Sequence, residues 1–428
     1  MASWTPNLGS STYVEHLPAP DPGRVTTPTA VPATEERLLT RAFLLLALGE
    51  LAYFTADGAA IYLVPVHATG PLSSDRAGAG LAFGAFAVSA LLLRPIVGRV
   101  CDTHGRRPLL VGGAAVAVVS LALTAQVESL GTLVALRLLA GVAEAAVFVG
   151  AFAAVADLAP AHRMGEAISY NSLALYLGLA VGPPLGEWLA EGHGFDAAWY
   201  GAALLALLAV AAMAAVGETG APEPGSAERT PLIHRASVPV ALGFLATIVA
   251  MGGLLAFAGL RADAVGLEQA SLPLVAYGLT VVLGRIAFAS AADRHPPLVL
   301  CTLALLTMAV GSTLVALVAT PLGLLAGTVV MAAGVVFATP AFFAAIFATA
   351  PASQRGAAAA TASMALDLGL GGGPILLGLV AEGAGIPWAL GVASGVALLG
   401  AAWTARLAQS RRATASANGS ALSGSTSR

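Results

Sequence analysis

Five charged side chains interrupt stretches that are otherwise apolar: Glu50, Asp57, Arg137, Glu144 and Asp367. Glu50 and Asp57 are seven positions apart, as are Arg137 and Glu144, and two turns of helix put each pair on one face. A charge at mid-bilayer costs roughly 2.5–3.5 kcal/mol on insertion scales, so a chain that keeps one there gives it a partner or a task. A carboxylate in an apolar cavity holds its proton more tightly, and a nearby guanidinium loosens it again. Small rearrangements then switch its protonation, which is the chemistry that proton coupling requires. Arg137 is the expected partner of one or more of Glu50, Asp57 and Glu144. Tyr53, Phe148, Asn171 and Phe337 are the candidates to line a substrate cavity.

The elements that must hold these residues follow from composition. With 57% hydrophobic and 10% charged residues, the chain has too much apolar area for a water-soluble domain, and lipid is the solvent that accepts it. Spans of about 20 helical residues cross roughly 30 Å of hydrocarbon. Twelve are expected, at 41–66, 77–98, 108–126, 130–154, 165–190, 197–216, 238–260, 271–291, 298–318, 321–348, 356–381 and 386–408. Residues 1–36 read as a disordered tail, 37–216 as one six-helix bundle, 217–236 as a linker, 237–408 as a second six-helix bundle, and 409–428 as another disordered tail.

Arginine placement orients the chain. Nearly all arginines that flank spans fall on one side, with Arg76 and Arg261 on the other, and basic flanks are retained in the cytoplasm. Both termini and the linker are therefore expected to be cytoplasmic, in a multi-pass protein of the inner (cytoplasmic) membrane. A net charge of −3 offers nothing to nucleic acid. No phosphate-cradling loop, metal-ligand spacing or catalytic triad appears, so no enzyme, metal or cofactor is expected. The bilayer, protons and a small molecule are the expected partners, and a single chain is expected to suffice.

The two halves are copies. Arg94 and Asp102 in RPIVGRVCD recur at a shift of 191 residues as Arg285 and Asp293 in RIAFASAAD. The same shift carries Gly178, Gly182 and Pro183 onto Gly369, Gly373 and Pro374, and it pairs Tyr176 with Asp367. Parallel repeats in a membrane protein put a substrate site at their interface and let the halves rock about it. Glu50, Asp57, Arg137 and Glu144 have apolar or neutral counterparts, so coupling is expected where the symmetry breaks.

The segment GRVCDTHGRRP, residues 98–108, carries Gly98, Asp102, Gly105, Arg106 and Arg107, and it resembles the signature loop of the major facilitator superfamily. The fold implied is all-α, with twelve transmembrane helices in two pseudo-symmetric bundles. The resemblance also implies a cytoplasmic latch in which Asp102 faces the start of span eleven near Gly356. Arg106 or Arg107 would pair with Asp157, and Arg285 and Asp293 would belong to the degenerate second copy. The stretch GLAVGPPLG, with Gly178, Gly182, Pro183 and Gly186, resembles the antiporter signature of drug-exporting members, where a bend shapes the gate between halves. Together these imply proton-coupled efflux of small hydrophobic or amphipathic compounds. The alternatives are uptake of a sugar or organic acid by symport or facilitation, or a non-transporting membrane sensor.

Overall fold

In the computed structural model, residues 38–160, 163–220, 233–288, 295–351 and 354–425 are described. Twelve long helices make up the membrane part: α1 (Arg41–Thr69), α2 (Arg76–His104), α3 (Arg107–Thr124), α4 (Leu130–Leu158), α5 (Met164–His193) and α6 (Phe195–Val216). The second set is α7 (Val238–Ala264), α8 (Leu272–Phe288), α9 (Pro297–Leu317), α10 (Pro321–Phe347), α11 (Arg355–Ala384) and α12 (Ile386–Ser425). Eleven are long and apolar enough to cross a membrane, and α8 is a shorter apolar helix among the described residues. Side-chain caps start several of them. Asp75 accepts from the Gly78 N–H at 2.6 Å, Ser129 from Thr132 at 3.2 Å and Thr320 from Gly323 at 3.1 Å, each satisfying a donor that the first turn leaves open.

Several helices outrun the expected spans, two of them by more than five residues. α2 continues through Gly98 and Asp102 to His104, because nothing between them breaks a helix until Gly105 turns the chain at φ +89°. That value lies in the region that glycine enters without a Cβ penalty, so the loop of the signature segment is confined to Gly105 and Arg106. α12 runs on to Ser425, past the expected end at 408. Alanine and arginine within that extension are good helix formers.

The repeat is visible in the packing. In the first bundle α1 packs on α5 and α6, α2 on α4, and α3 on α4 and α6. In the second, α7 packs on α11 and α12, α8 on α10, and α9 on α10 and α12. α2 against α11 and α5 against α8 join the bundles, with α1 beside α7. Outward faces remain apolar, as at Leu283, Leu317, Leu322, Leu376 and Trp388, each more than half exposed. In water such a surface would drive aggregation, whereas in hydrocarbon it is matched. The ends carrying the α2–α3 turn form one side of the molecule, called here the loop end; the α1–α2 and α7–α8 connections form the far end.

Candidate functional site

At the centre, each bundle reaches into the other. Arg94 of α2 grips Asp367 of α11 with two hydrogen bonds, Nη2 to Oδ1 at 2.8 Å and Nε to Oδ2. Arg285 of α8 donates from Nη2 to the Tyr176 hydroxyl of α5 at 3.2 Å and lies over its ring at 4.6 Å. Both contacts join the same pair of repeat positions, 94 with 367 and 285 with 176. Sequence reasoning saw both symmetric pairs but left Asp367 without a partner and Arg94 without a role. The signal was the symmetry itself: an arginine and its copy, each facing the other half at one register.

Around this pair, the α1 and α4 charges assemble differently from the expectation. Tyr53 donates to Glu144 at 3.2 Å. Arg137 is buried over the Phe86 ring at 4.8 Å, and its Nε lacks a partner among the described residues. It lies within electrostatic reach of Asp57 and Glu144 but forms no ion pair with either within 4 Å among the described residues. Glu50 belongs elsewhere: the amide orientation of Asn171 that satisfies both groups gives its nitrogen to Glu50, 2.8 Å from Oε1. Glu144 also feels Arg94 and Asp367, so charges run from α1 through α4 and α2 to α11.

A cavity of about 1350 Å³ lies between the bundles in the loop-end half. Phe148 and Phe337 line it, as expected, together with Arg94, Arg285, Tyr170 and Phe343. Tyr53 and Asn171 do not. Tyr53 is buried edge-on against Phe54 with its hydroxyl spent on Glu144, and Asn171 turns from the cavity to Glu50, while its neighbours Tyr170 and Ser172 face in.

Glycines let the helices approach closely. A Cβ on Gly178 would sit 2.7 Å from the Phe54 Cβ, and one on Gly182 2.7 Å from the Gly58 carbonyl carbon. Both face α1 within the first bundle, as does Gly186, and Pro183 lies within the same continuous helix. Across the bundles, Gly80 and Gly84 of α2 approach the Pro374 and Gly371 backbone of α11, and Gly278 of α8 approaches Ala180 of α5, within the GLAVGPPLG stretch.

The far end is closed by carboxylates that cap helices of the opposite bundle. Glu187 of α5 accepts from the Ser271 N–H at 3.1 Å, and also from the Ser271 hydroxyl and the Ala270 N–H, at the start of α8. Glu382 of α11 accepts from the Arg76 N–H at 3.0 Å, at the start of α2. Helix N-termini favour such anions.

At the loop end, Arg106 Nε is 2.8 Å from Asp157 Oδ2, and Arg107 instead donates to the Ala214 carbonyl at 3.1 Å. Gly98 has no neighbour within 4 Å of the place a Cβ would take. Asp293 and the side chain of Asp102 lie outside the described residues. An unanticipated residue organises the turn: Glu218, just beyond α6, accepts from the backbone N–H of Arg106 at 2.7 Å and of Arg107 at 3.2 Å. Thr219 adds a hydroxyl bond to Asp157 at 3.1 Å. Nothing in the residue pattern of a linker announces a capping role, because the partner amides are more than a hundred positions away.

Partial burial raises the Glu218 pKa, and four backbone N–H donors outweigh it, so the carboxyl ends below its ordinary value. A depressed folded-state pKa stabilises above the ordinary carboxylate range, and the contribution is lost as pH falls through the lowered value. Glu218→Gln keeps an acceptor but removes the charge, and is therefore expected to reduce stability at neutral pH by about 0.3–1 kcal/mol, the range for an exposed anion at a helix N-terminus, and to flatten the acid limb. Thermal unfolding of both proteins at neutral and acidic pH measures this. An unchanged acid limb in the variant would remove Glu218 from the latch.

With this geometry established, comparison with known proteins is direct. Residues 46–267 match the family model of the Major Facilitator Superfamily. An uncharacterised MFS-type transporter of Burkholderia mallei (strain SAVP1) is 30% identical over 348 residues, covering 78% of this chain and 84% of the relative. The uncharacterised MFS-type transporter YhhS of Escherichia coli (strain K12) is 25% identical over 392 residues, covering 89% and 96%. Among solved structures, the human organic anion transporter MFSD10 (TETRAN) superposes with TM-score 0.66 at 20% identity, over 85% of this chain and 99% of its own. A bacterial homologue of the human lysosomal transporter Spinster, inward-facing and unoccupied, superposes with TM-score 0.70 at 14% identity, over 85% and 95%. These two likenesses establish the fold alone. The repeated bundles, the signature turn and the family match together place the chain in the Major Facilitator Superfamily, as a multi-pass membrane transporter of that kind.

Proposed function

We propose that the protein is a proton-coupled exporter of small amphipathic compounds, working by alternating access as the two bundles rock about the central cavity. The observation that carries this reading is the chain of contacts from α1 to α4 through Tyr53 and Glu144, and from α4 through α2 to α11 by Phe148, Arg94 and Asp367, with Asp57 and Arg137 on the same two helices as the first pair. A proton taken up anywhere along it alters the hold of one half on the other. The arginine bias puts the loop end in the cytoplasm, and a cavity on that side with the far side capped by Glu187 and Glu382 supports an inward-facing resting state. Each charge crossing the membrane draws about 2.3 kcal/mol per 100 mV, enough to shift a two-state equilibrium many-fold. No cofactor enters the scheme beyond the proton gradient, and one chain suffices for it. The second reading is uptake of an organic acid by symport or facilitation on the same fold, which Arg285 in the cavity wall favours over a sugar.

The test is transport into proteoliposomes of the full chain, with and without a pH gradient, across dyes, antibiotics, sugars and organic acids. Movement of an amphipathic compound against its gradient when the lumen is acidic is the expected result. Asp57→Asn is expected to abolish the pH dependence while the protein remains folded in the membrane. Transport by that variant with its pH dependence intact would defeat the coupling role of Asp57.

A further inference from the structure

The cavity walls hold two guanidinium groups, from Arg94 and Arg285, and no carboxylate among the residues that line them. These arginines are copies of one another but not electrical equals. Arg94 is neutralised by Asp367. Arg285 meets the Tyr176 hydroxyl and ring, has a buried Nε without a hydrogen-bond partner, and has no carboxylate within 4 Å among the described residues. Asp367, the residue that answers Arg94, is replaced by Tyr176 at the position that answers Arg285. An arginine does not shed its proton to escape burial. Among the described residues, the cavity therefore carries one uncompensated positive charge amid aromatic and aliphatic walls that include Phe148, Phe288, Phe337 and Phe343.

We infer that the cavity binds amphipathic organic anions, molecules with a carboxylate or sulfonate headgroup and an apolar body, and that Arg285 is the group that docks the headgroup. A planar guanidinium matches such a headgroup in shape, with paired N–H donors facing paired oxygens. Its Nε is buried and its Nη2 is held by the Tyr176 hydroxyl, so the headgroup meets the guanidinium on the side that lines the cavity. A cationic compound of equal size meets a like charge there and finds no acceptor carboxylate in the wall, so cations are excluded. Neutral compounds enter but leave the Arg285 charge without an anion and forgo the charge-assisted contact that an anionic headgroup makes. The inference rests on the reading of this cavity as the substrate site and holds for either direction of transport.

Three matched probes decide it: 1-naphthylacetate, the neutral 1-naphthylacetamide and the cationic 1-naphthylmethylammonium, titrated calorimetrically onto the full chain in lipid nanodiscs. The anion is expected to bind at least about tenfold more tightly than either analogue, a difference of about 1.4 kcal/mol. Arg285→Gln is expected to erase that preference by lowering the affinity for the anion to about that for the amide, and Arg285→Lys to keep the preference at reduced affinity. Should Arg285→Gln not fold, the lysine variant and Tyr176→Phe, which frees the fork further and should strengthen anion binding, carry the comparison. Equal binding of the three probes, a preference for the ammonium compound, or an anion preference that survives Arg285→Gln would overturn the inference. Proteoliposomes separate it from the transport reading. Vesicles that carry only neutral or cationic compounds under a pH gradient sink the anion site and leave the exporter standing, whereas anion binding in vesicles that carry nothing does the reverse.

Discussion

Asp367→Asn is expected to destabilise the folded protein by about 3–5 kcal/mol, the range for breaking a buried ion pair by removing one partner. Asp367 is 2% exposed, and it receives two hydrogen bonds from Arg94. Neutralising it leaves Arg94 against the Phe148 ring, 4.6 Å away, with a positive charge and no anion. The cavity gives Arg94 some access to water, which sets the lower end of that range. Replacing both residues, Arg94→Gln with Asp367→Asn, removes the uncompensated charge and is expected to recover most of the loss. A double-mutant cycle read by unfolding in nanodiscs isolates the pair. A coupling below about 0.5 kcal/mol, the ordinary error of additivity, would show that the bridge does not hold α2 to α11. Because the two helices belong to different bundles, the single variant is also expected to lose transport, and activity regained with the double variant would deny Asp367 any part in coupling.

The second large effect concerns glycine. Gly182→Leu is expected to prevent accumulation of folded protein, since even its first carbon would fall 2.7 Å from the Gly58 carbonyl carbon and 2.5 Å from the Ala59 nitrogen. Backbone atoms on α1 do not yield as side-chain tips do, so the cost exceeds the usual 1–3 kcal/mol of overpacking, and small residues are what allow membrane helices to pack this closely. Gly98→Ala is the matched control. It lies inside α2 with no neighbour within 4 Å, so removing a mid-helix glycine is expected to stabilise by about 0.5–1 kcal/mol. Fluorescence-detected size-exclusion profiles and thermal unfolding report both. A monodisperse, normally stable Gly182→Leu protein would mean that α1 and α5 do not pack as described.

These contrasts mark the boundary between what was legible in the chain and what was not. The twelve helices, the duplication and the family follow from local quantities. Apolar runs of bilayer length, a fixed shift between copies and a short turn motif are each readable without knowing which residues touch. Gly105 at the turn, Asp367 as a charge that needs an answer, and Phe148 and Phe337 in the cavity belong to that class. Partners belong to the other. Arg137 was matched to carboxylates by type and depth, yet Phe86 lies beneath it. Asn171 lies on a helix bordering the cavity but turns to Glu50, because a rotation of one residue on a helix swings a side chain by about 100°, and Tyr53 lies on α1, no residue of which lines the cavity. Glu218 and Glu187 cap helices far away in sequence. Periodicity and spacing along the chain determined how many helices there are and which are copies. Only the tertiary structure decided which charges meet and which arginine is left open to the cavity, since hydrogen bonds and close packing depend on ångström distances between segments that the order of residues does not encode locally.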